Sequence, residues 1–566
     1  MCGIAGILGQ LASKSPILQM LGSQSHRGPD NTGFWVDDQV IALGHNRLSI
    51  LDLSDSSNQP FQCEDGRYIL VFNGEIYNYL ELKEQLRDFY KFRTSSDTEV
   101  LLAAFLKWGY SCLSHFNGMF SFAIWDNLDR KLFAARDRFG VKPFNYTNWN
   151  GSFLFASEIS PFWKIGVPKN PNSSVWSSYF IKGTYGQPNE TFWDGVEQLP
   201  AGHYLIWQDG QQKIFQWYDF FSRVQSQPEV ELKDQEEYIL ELLKSAVSLR
   251  FRADVPVGFN LSGGLDSSTL LALVYDLFPE NRQIEAFTFL TGDERYDEIF
   301  WVEKMLQDKP FPLNPCMLST DEVPELARKI SDVQNEPFGG LPTLAYAKVF
   351  QKAREKGIIV LLDGQGSDEA WAGYDYYLKN SQNLIQGVKS SPLRPEVLDA
   401  NFSSLASQNQ FPKPFEEELL NLQYRDLFYT KIPRALRFND RVSMAFSTEL
   451  REPFLDYRLI EYVFSRPKDF KIKDGKQKWL LRKIANKYLG EEISLAPKRP
   501  LQTPQREWLS DNLKDWVYDE TSLLRQNAWF DYAKIEKELS KFMKGDNDSS
   551  FHVWQWLNTA LLLHDK

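Results

Sequence analysis

Four groups of residues in this chain have types and spacings that could do chemistry. Cys2 follows the initiator methionine in Met1-Cys2-Gly3-Ile4-Ala5-Gly6-Ile7. Removing Met1 would leave a thiol and a free α-amine on one residue. A thiolate is a strong nucleophile, and the adjacent amine can act as its base. On its own, a second-position cysteine reads first as a small buried apolar residue. The second group is Phe259-Asn260-Leu261-Ser262-Gly263-Gly264-Leu265-Asp266-Ser267-Ser268. Its glycines allow a tight turn and close approach of a ligand, and its hydroxyls and helix-start N–H groups can hold phosphate oxygens. It is not a GxxxxGK[ST] loop. Asp266 would repel phosphates unless a cation intervened, which implies Mg²⁺. The third group, Asp363-Gly364-Gln365-Gly366-Ser367-Asp368-Glu369, offers Asp368 as a second Mg²⁺ ligand. The fourth, Gly475-Lys476-Gln477-Lys478-Trp479-Leu480-Leu481-Arg482, puts cations on an expected helix, by default a solvated face.

The elements around these groups fall into two regimes. The first ~200 residues read as β-rich, with strands expected at Gly3–Leu8, Val40–Arg47, Tyr68–Phe72, Met119–Asp126, Lys131–Arg136 and Ser152–Ala156. Tyr79–Arg87 and Thr98–Trp108 have helical spacing. Many strands with few helices predict a layered sheet sandwich. A polar, charged stretch at Gln225–Asp234 marks a domain boundary near 205–230, dividing the chain into 2–210 and 230–566. After a helix at Glu236–Phe251, strand and helix alternate: strands at Val255–Leu261, Ile284–Leu290 and Ile358–Asp363, helices at Ser268–Phe278, Pro324–Val333 and Leu344–Lys356. That alternation predicts an open parallel α/β sheet whose ligands sit at the strands' carboxyl ends. Both glycine loops follow strands, so they would open on one sheet edge. Beyond ~390 the pattern is mostly helical.

Composition removes several classes of function. A chain of 566 residues exceeds one typical core. Lys plus Arg is 63 against 75 Asp plus Glu, a net charge of −12, which argues against a nucleic-acid-binding body. Neither a membrane-spanning run nor a basic amphipathic segment is evident. The cysteines are Cys2, Cys63, Cys112 and Cys316, with no CxxC pair, so neither a zinc site nor a disulfide scaffold is expected. The start lacks a signal-peptide pattern. These absences point to the cytoplasm.

The Ser262–Ser267 loop resembles that of ATP pyrophosphatases. Taken whole, the chain resembles a glutamine-dependent asparagine synthetase over essentially its full length. The amino-terminal half carries the resemblance in Met1-Cys2-Gly3, His26-Arg27-Gly28-Pro29-Asp30, His45-Asn46-Arg47-Leu48-Ser49-Ile50, Asn73-Gly74-Glu75-Ile76-Tyr77-Asn78, Ser96-Asp97-Thr98-Glu99 and Arg136-Asp137-Arg138-Phe139-Gly140. The implied fold is an αββα N-terminal-nucleophile hydrolase sandwich, then an α/β ATP-pyrophosphatase domain with a helical C-terminal part. The resemblance implies that Cys2 attacks the glutamine amide and that Asn73 and the Gly74 N–H form an oxyanion hole. Arg47 would pair with the substrate α-carboxylate, and Asp97 and the Glu75 region with its α-ammonium. For ATP it implies Leu261, Ser262, Gly263, Gly264, Asp266, Ser267, Phe289, Asp363, Gly364 and Lys478, with Asp266 and Asp368 on Mg²⁺. The Arg441–Ala445 and Glu449–Asp456 segments match a further block, read here as mainly structural, with some of its residues as candidates to reach the site. Aspartate is the implied acceptor, a homodimer the implied assembly.

Two departures concern the acceptor. The well-studied synthetases have Glu where this chain has Gln365, which keeps the shape but accepts no proton. Another group would then serve as base, with Glu369 or a phosphate oxygen as candidates. Pro337-Phe338-Gly339-Gly340-Leu341-Pro342 also lacks the Thr-Ile-Arg of some members. A second acceptor class, such as a sugar uronate of polysaccharide biosynthesis, therefore stands beside aspartate. Cys2 counts against the β-lactam-forming relatives, which typically lack it.

Overall fold

The computed structural model describes residues 2–231, 234–378, 391–408, 410–496, 503–546 and 549–564. Met1 of the opening motif and residues 232–233 of the polar stretch lie outside them. The amino-terminal half is two six-stranded antiparallel sheets face to face. One runs Glu197–Gln198, Asn145–Trp149, Ser152–Ala156, Gly3–Gly9, Ile41–Arg47, Asn31–Asp37; the other runs Gln211–Gln216, His203–Gln208, Lys131–Arg136, Gly118–Asp126, Tyr68–Ile76, Phe61–Gln62. The period of two assigns the faces. Ile4 and Leu8 meet Ile69, Val71, Trp125 and Leu132 between the sheets. Ala5 and Ile7 face outward onto Ile17, Leu21 and Phe162 of covering helices. Gly6 is small because the Phe155 ring lies over it; a Cβ there would come within 2.1 Å of that ring. Helices Tyr79–Leu86 and Asp97–Trp108 cover the second sheet through Leu82, Leu86 and Leu101 on Phe72, Phe120 and Phe122. The expected αββα layering holds.

The carboxyl-terminal half centres on a five-stranded parallel sheet ordered Leu313–Met317, Glu285–Leu290, Val257–Asn260, Val360–Leu362, Glu449–Arg451. Val257–Asn260 is buried along its whole length, as a central parallel strand must be. The chain winds outward from this strand to one side, then returns to the other. The switch point between Val257–Asn260 and Val360–Leu362 is where such sheets bind ligands. Both glycine loops leave from those two strands. Past residue 390 the described residues are mostly helical, ending in the buried helix Phe551–Leu563. Among the described residues, no helix is long and apolar enough to cross a membrane, and all four cysteines are buried and unpaired.

Several elements differ from the sequence reading. The Tyr68–Phe72 strand continues to Ile76, so Asn73, Gly74 and Glu75 are strand residues. The strand at Leu313–Met317 was hidden by Pro315, which only an edge position tolerates. The helix expected over 475–482 begins only at Trp479, because Gly475 turns a hairpin between Ile472–Lys473 and Lys476–Gln477. The amino-terminal sheet continues through Gln216.

The two halves share a continuous core and a buried set of charges. Arg27 is fully buried; its guanidinium lies 3.1 Å from Glu158 and 2.9 Å from Asp440 of the helix Ile432–Met444. Arg451, also fully buried, reaches Glu449 at 2.5 Å and Glu75 of the other half at 3.5 Å. Removing one member of a buried ionic set strands its partners, at about 3–5 kcal/mol. Arg451→Leu is expected to lower the calorimetric unfolding temperature clearly, whereas Arg525→Leu, which breaks an exposed pair with Glu536, should leave it nearly unchanged.

Candidate active sites

Cys2 stands at the head of the central strand Gly3–Gly9 and is almost fully buried. Its backbone nitrogen donates to Asn73 Oδ1 at 3.0 Å, and its Sγ lies 3.9 Å from the Leu48 carbonyl. That nitrogen is an amide while Met1 is attached and an amine once Met1 is removed. Burial pushes the thiol up, opposed in part by Arg47. Asn73 Nδ2, on the side chain that meets the Cys2 nitrogen, is buried with no hydrogen-bond partner. Gly74 is required by space: a Cβ there would lie 2.1 Å from the Met119 carbonyl oxygen.

Cys2, Arg47, Gly74, Glu75 and Asp97 line one small cavity. Arg47 is braced by the loop after it, donating to Ser54 O and Asn58 Oδ1 at 2.7 Å each and to Asp52 O. Asp97 opens its helix and accepts the Ile76 N–H at 2.8 Å. Burial raises its carboxyl to about 6. Burial pushes Glu75 well above the carboxylate range, with Glu449 adding and Arg451 opposing. A guanidinium and two carboxyls in one cavity match a zwitterionic α-amino acid, and the thiol beside an unpaired amide donor suits attack on a carbonyl.

The second cavity, about 340 Å³, lies at the switch point. It is lined by Ser262, Gly263, Gly264, Asp266 and Ser267 of the first loop, and by Asp363, Gly364, Gln365 and Asp368 of the second. Ser262 and Ser267 bond each other at 2.9 Å, closing the first loop on itself. Lys478 Nζ stands where the carboxylates converge, 2.7 Å from Asp266 and 2.6 Å from Asp368. Burial works against its charge, but the two carboxylates outweigh that and raise the ammonium. Two carboxylates meeting at one cation position, open to a cavity, also fit Mg²⁺, which takes one or two protein carboxylates and completes its shell with phosphates and water. Leu261, buried, and Phe289, whose ring packs on Tyr346, stand behind the lining. Glu369 is fully buried and accepts from Tyr374 Oη at 2.6 Å. Burial, then Asp368, raises its carboxyl to about 7.

The structure gathers most of the expected site residues at two cavities, while Asn73, Leu261, Phe289 and Glu369 are not among the lining residues. Tyr346 and Arg482 line the second cavity without having been singled out. Glu449 and Arg451, read as mainly structural, reach the wall of the Cys2 cavity through Glu75. Their signals in the sequence were the family block that contains them and the charge density of Glu449-Leu450-Arg451-Glu452.

Comparison with known proteins places both halves. A glutamine amidotransferase domain model matches residues 1–218, and an asparagine synthase model matches residues 238–564. The chain belongs to the asparagine synthase family. By that membership it is an ATP-dependent, glutamine-hydrolysing ligase. It is 29% identical to asparagine synthetase [glutamine-hydrolyzing] 3 of Bacillus subtilis, over 91% of this chain and 89% of that protein. It is 30% identical to a putative asparagine synthetase of Mycobacterium bovis, over 98% and 94%. It is also 28% identical to "Amidase chry2" of Gibberella zeae, over 90% of each.

The convergence on Lys478 gives a direct test. A unit charge within about 4 Å is worth roughly 4 kcal/mol at an effective dielectric of 20. Lys478→Met is expected to tighten Mn²⁺ binding to the free protein by about tenfold or more, read by electron paramagnetic resonance. Unchanged Mn²⁺ affinity would show that the two carboxylates do not form one cation position.

Proposed function

We propose that this enzyme is a glutamine-hydrolysing asparagine synthetase. Cys2 takes the glutamine side-chain carbonyl into a thioester, its own α-amine carrying the proton to the departing ammonia. Asn73 Nδ2 and the Gly74 N–H hold the oxyanion, while Arg47 orients the substrate carboxylate and Asp97 with Glu75 its ammonium. In the second cavity the Ser262–Ser267 loop and Asp363-Gly364 cradle ATP. Asp266 and Asp368 would hold Mg²⁺, whose charge offsets that of the phosphates, and Lys478 turns from these carboxylates to a phosphate oxygen. The aspartate side-chain carboxylate attacks the α-phosphorus, pyrophosphate leaves, and ammonia displaces AMP from the acyl-adenylate.

The observation that supports this reading is a buried ionic contact between the two halves that reaches Cys2 itself. Arg27 Nε donates to the Cys2 carbonyl at 3.1 Å, and its far end pairs with Asp440 across the domain interface. Ammonia that stays inside such an interface is not lost to bulk water, and the adenylate is kept from hydrolysis.

A second acceptor reading rests on Gln365, which lines the nucleotide cavity where a carboxylate would suit an amino-acid acceptor. A sugar uronate would gain from its neutral amide. The deciding measurement is pyrophosphate release with glutamine, ATP and Mg²⁺ across a panel of carboxylates. Aspartate-dependent release with asparagine formed supports the first reading; release only with uronates replaces it.

The two-site scheme predicts a crossed pattern of losses. Cys2→Ala should abolish glutamine-dependent amide formation yet retain ammonia-dependent formation. Asp266→Asn should abolish amide formation from either source and keep glutamine hydrolysis. Asn73→Ala should cost glutamine hydrolysis about 10²–10³-fold in kcat. Failure of added ammonia to rescue Cys2→Ala would sink the scheme.

A further inference from the structure

An ammonia-derived nitrogen must lose a proton on becoming an amide, and the groups at the nucleotide cavity are largely committed elsewhere. Gln365 cannot accept a proton. Asp266 and Asp368 hold Lys478. Asp363 accepts from the Gly364 N–H and from Asn260 Nδ2. Glu369 accepts from Tyr374 through one oxygen; its other oxygen is buried without a partner, and it directly follows Asp368, whose carboxylate meets Lys478.

Glu452 differs. It follows the edge strand Glu449–Arg451, and the Asp363 N–H donates to Arg451 O at 2.9 Å. The first residue of the second loop therefore lies alongside Glu452, at the carboxyl end of the neighbouring strand. Glu452 is 4% exposed, and its Oε2 is buried without a hydrogen-bond partner. Charged groups from four surrounding elements act on it: Lys142 in the turn after Lys131–Arg136, Arg250 at the end of helix Gln235–Arg250, Asp363, and Asp440 of helix Ile432–Met444. Tyr346, which lines the nucleotide cavity, also feels its charge. On its other side Lys142 Nζ lies 3.8 Å from Asp440 Oδ1, and Asp440 holds Arg27, which bonds the Cys2 carbonyl. Glu452 thus lies beside Asp363, a lining residue of the nucleotide cavity, on the side where the two halves meet through Asp440 and Arg27.

We propose that the Glu452 carboxylate is the proton acceptor for the nitrogen transferred between the sites. The assignment rests on the amide-forming reading above. Ammonia's lone pair forms the C–N bond to the acyl-adenylate. One N–H bond then breaks, its electron pair stays on nitrogen, and the proton passes to a Glu452 oxygen. The C–O bond to AMP breaks with its pair on the phosphate oxygen. Burial pushes the Glu452 carboxyl up to about 8; Lys142 and Arg250 oppose the shift, Asp363 and Asp440 reinforce it. A base in that range is matched to an amine-like proton near neutrality.

The test compares full-length wild type, Glu452→Gln, Glu452→Asp and the double variant Glu452→Gln with Gln365→Glu. ATP–pyrophosphate exchange precedes nitrogen transfer; amide formation follows it. Glu452→Gln is expected to lower amide formation about 10²-fold with either glutamine or ammonium chloride. Exchange should fall far less, so that exchange per amide rises. The wild-type amide rate should climb with pH toward about 8, the climb being absent in Glu452→Gln. Glu452→Asp should restore part of the rate, and Gln365→Glu should rescue Glu452→Gln by returning a carboxylate to the cavity. A wild-type amide rate and pH profile in Glu452→Gln would overturn the assignment. A parallel loss of exchange and amide would also overturn it, as a merely structural role. Absence of exchange in the wild type with every acceptor would instead sink the underlying reaction, before any substitution is considered.

Discussion

Everything in this molecule depends on burying Arg27 at the junction of its two halves. A guanidinium with no exposed surface must have its charge and its donors met, and here they are met by three separate parts of the chain. Glu158 comes from the end of an amino-terminal strand, Asp440 from a carboxyl-terminal helix, and the Cys2 carbonyl from the nucleophile itself. The position of Cys2 is therefore fixed partly by the other domain. His26 adds to the same knot: its ring meets Glu158 at 2.9 Å and its carbonyl accepts from Ser447 Oγ. An apolar interface of equal area would hold the halves together at least as well. A set of paired charges holds them in one register, since sliding by a residue would strand a buried ion.

The architecture was legible in the sequence wherever pattern and burial agree. Ile4, Ala5, Ile7 and Leu8 alternate between two apolar faces, so the strand could be read although both faces are covered. The strand before the first glycine loop and the one before the second were legible as short apolar runs, and their order yields the switch point. Elements were missed where a local signal ran against the tertiary setting. Pro315 argues against a strand until the strand is known to be an edge. Asn73–Glu75 lies past the apolar run Tyr68–Phe72 yet completes that strand, because Gly74 lets it pass against Met119 where no side chain fits.

The sites were legible in a different way. Cys2, Arg47, Asn73 and Asp97 could be assigned together only through an ordered set of motifs, since each alone reads as an ordinary residue. What no motif conveyed is how those residues are supported. Asp137 shows this. Its carboxylate accepts the N–H groups of Phe120, Phe139, Val141 and Lys142, so it folds the turn that carries Lys142 to Asp440. The conspicuous Arg136-Asp137-Arg138-Phe139-Gly140 segment is thus a brace for the interface. Sequence could mark it as special without revealing that its work is done by backbone hydrogen bonds.

The distribution of buried charge also separates the tasks of the two cavities. The Cys2 cavity balances Arg47 against Asp97 and Glu75, a pattern that suits one zwitterion and rejects a polyanion. The nucleotide cavity sets Lys478 between two carboxylates, so its cation can be handed to phosphates only if another cation takes the carboxylates. Glu452, buried beside Asp363, belongs to neither pattern. A carboxyl placed there costs stability by burial without a hydrogen bond, and an apolar residue of similar size would pack at lower cost. Its placement is best explained by a task that both cavities share, and proton transfer from the nitrogen that travels between them is such a task.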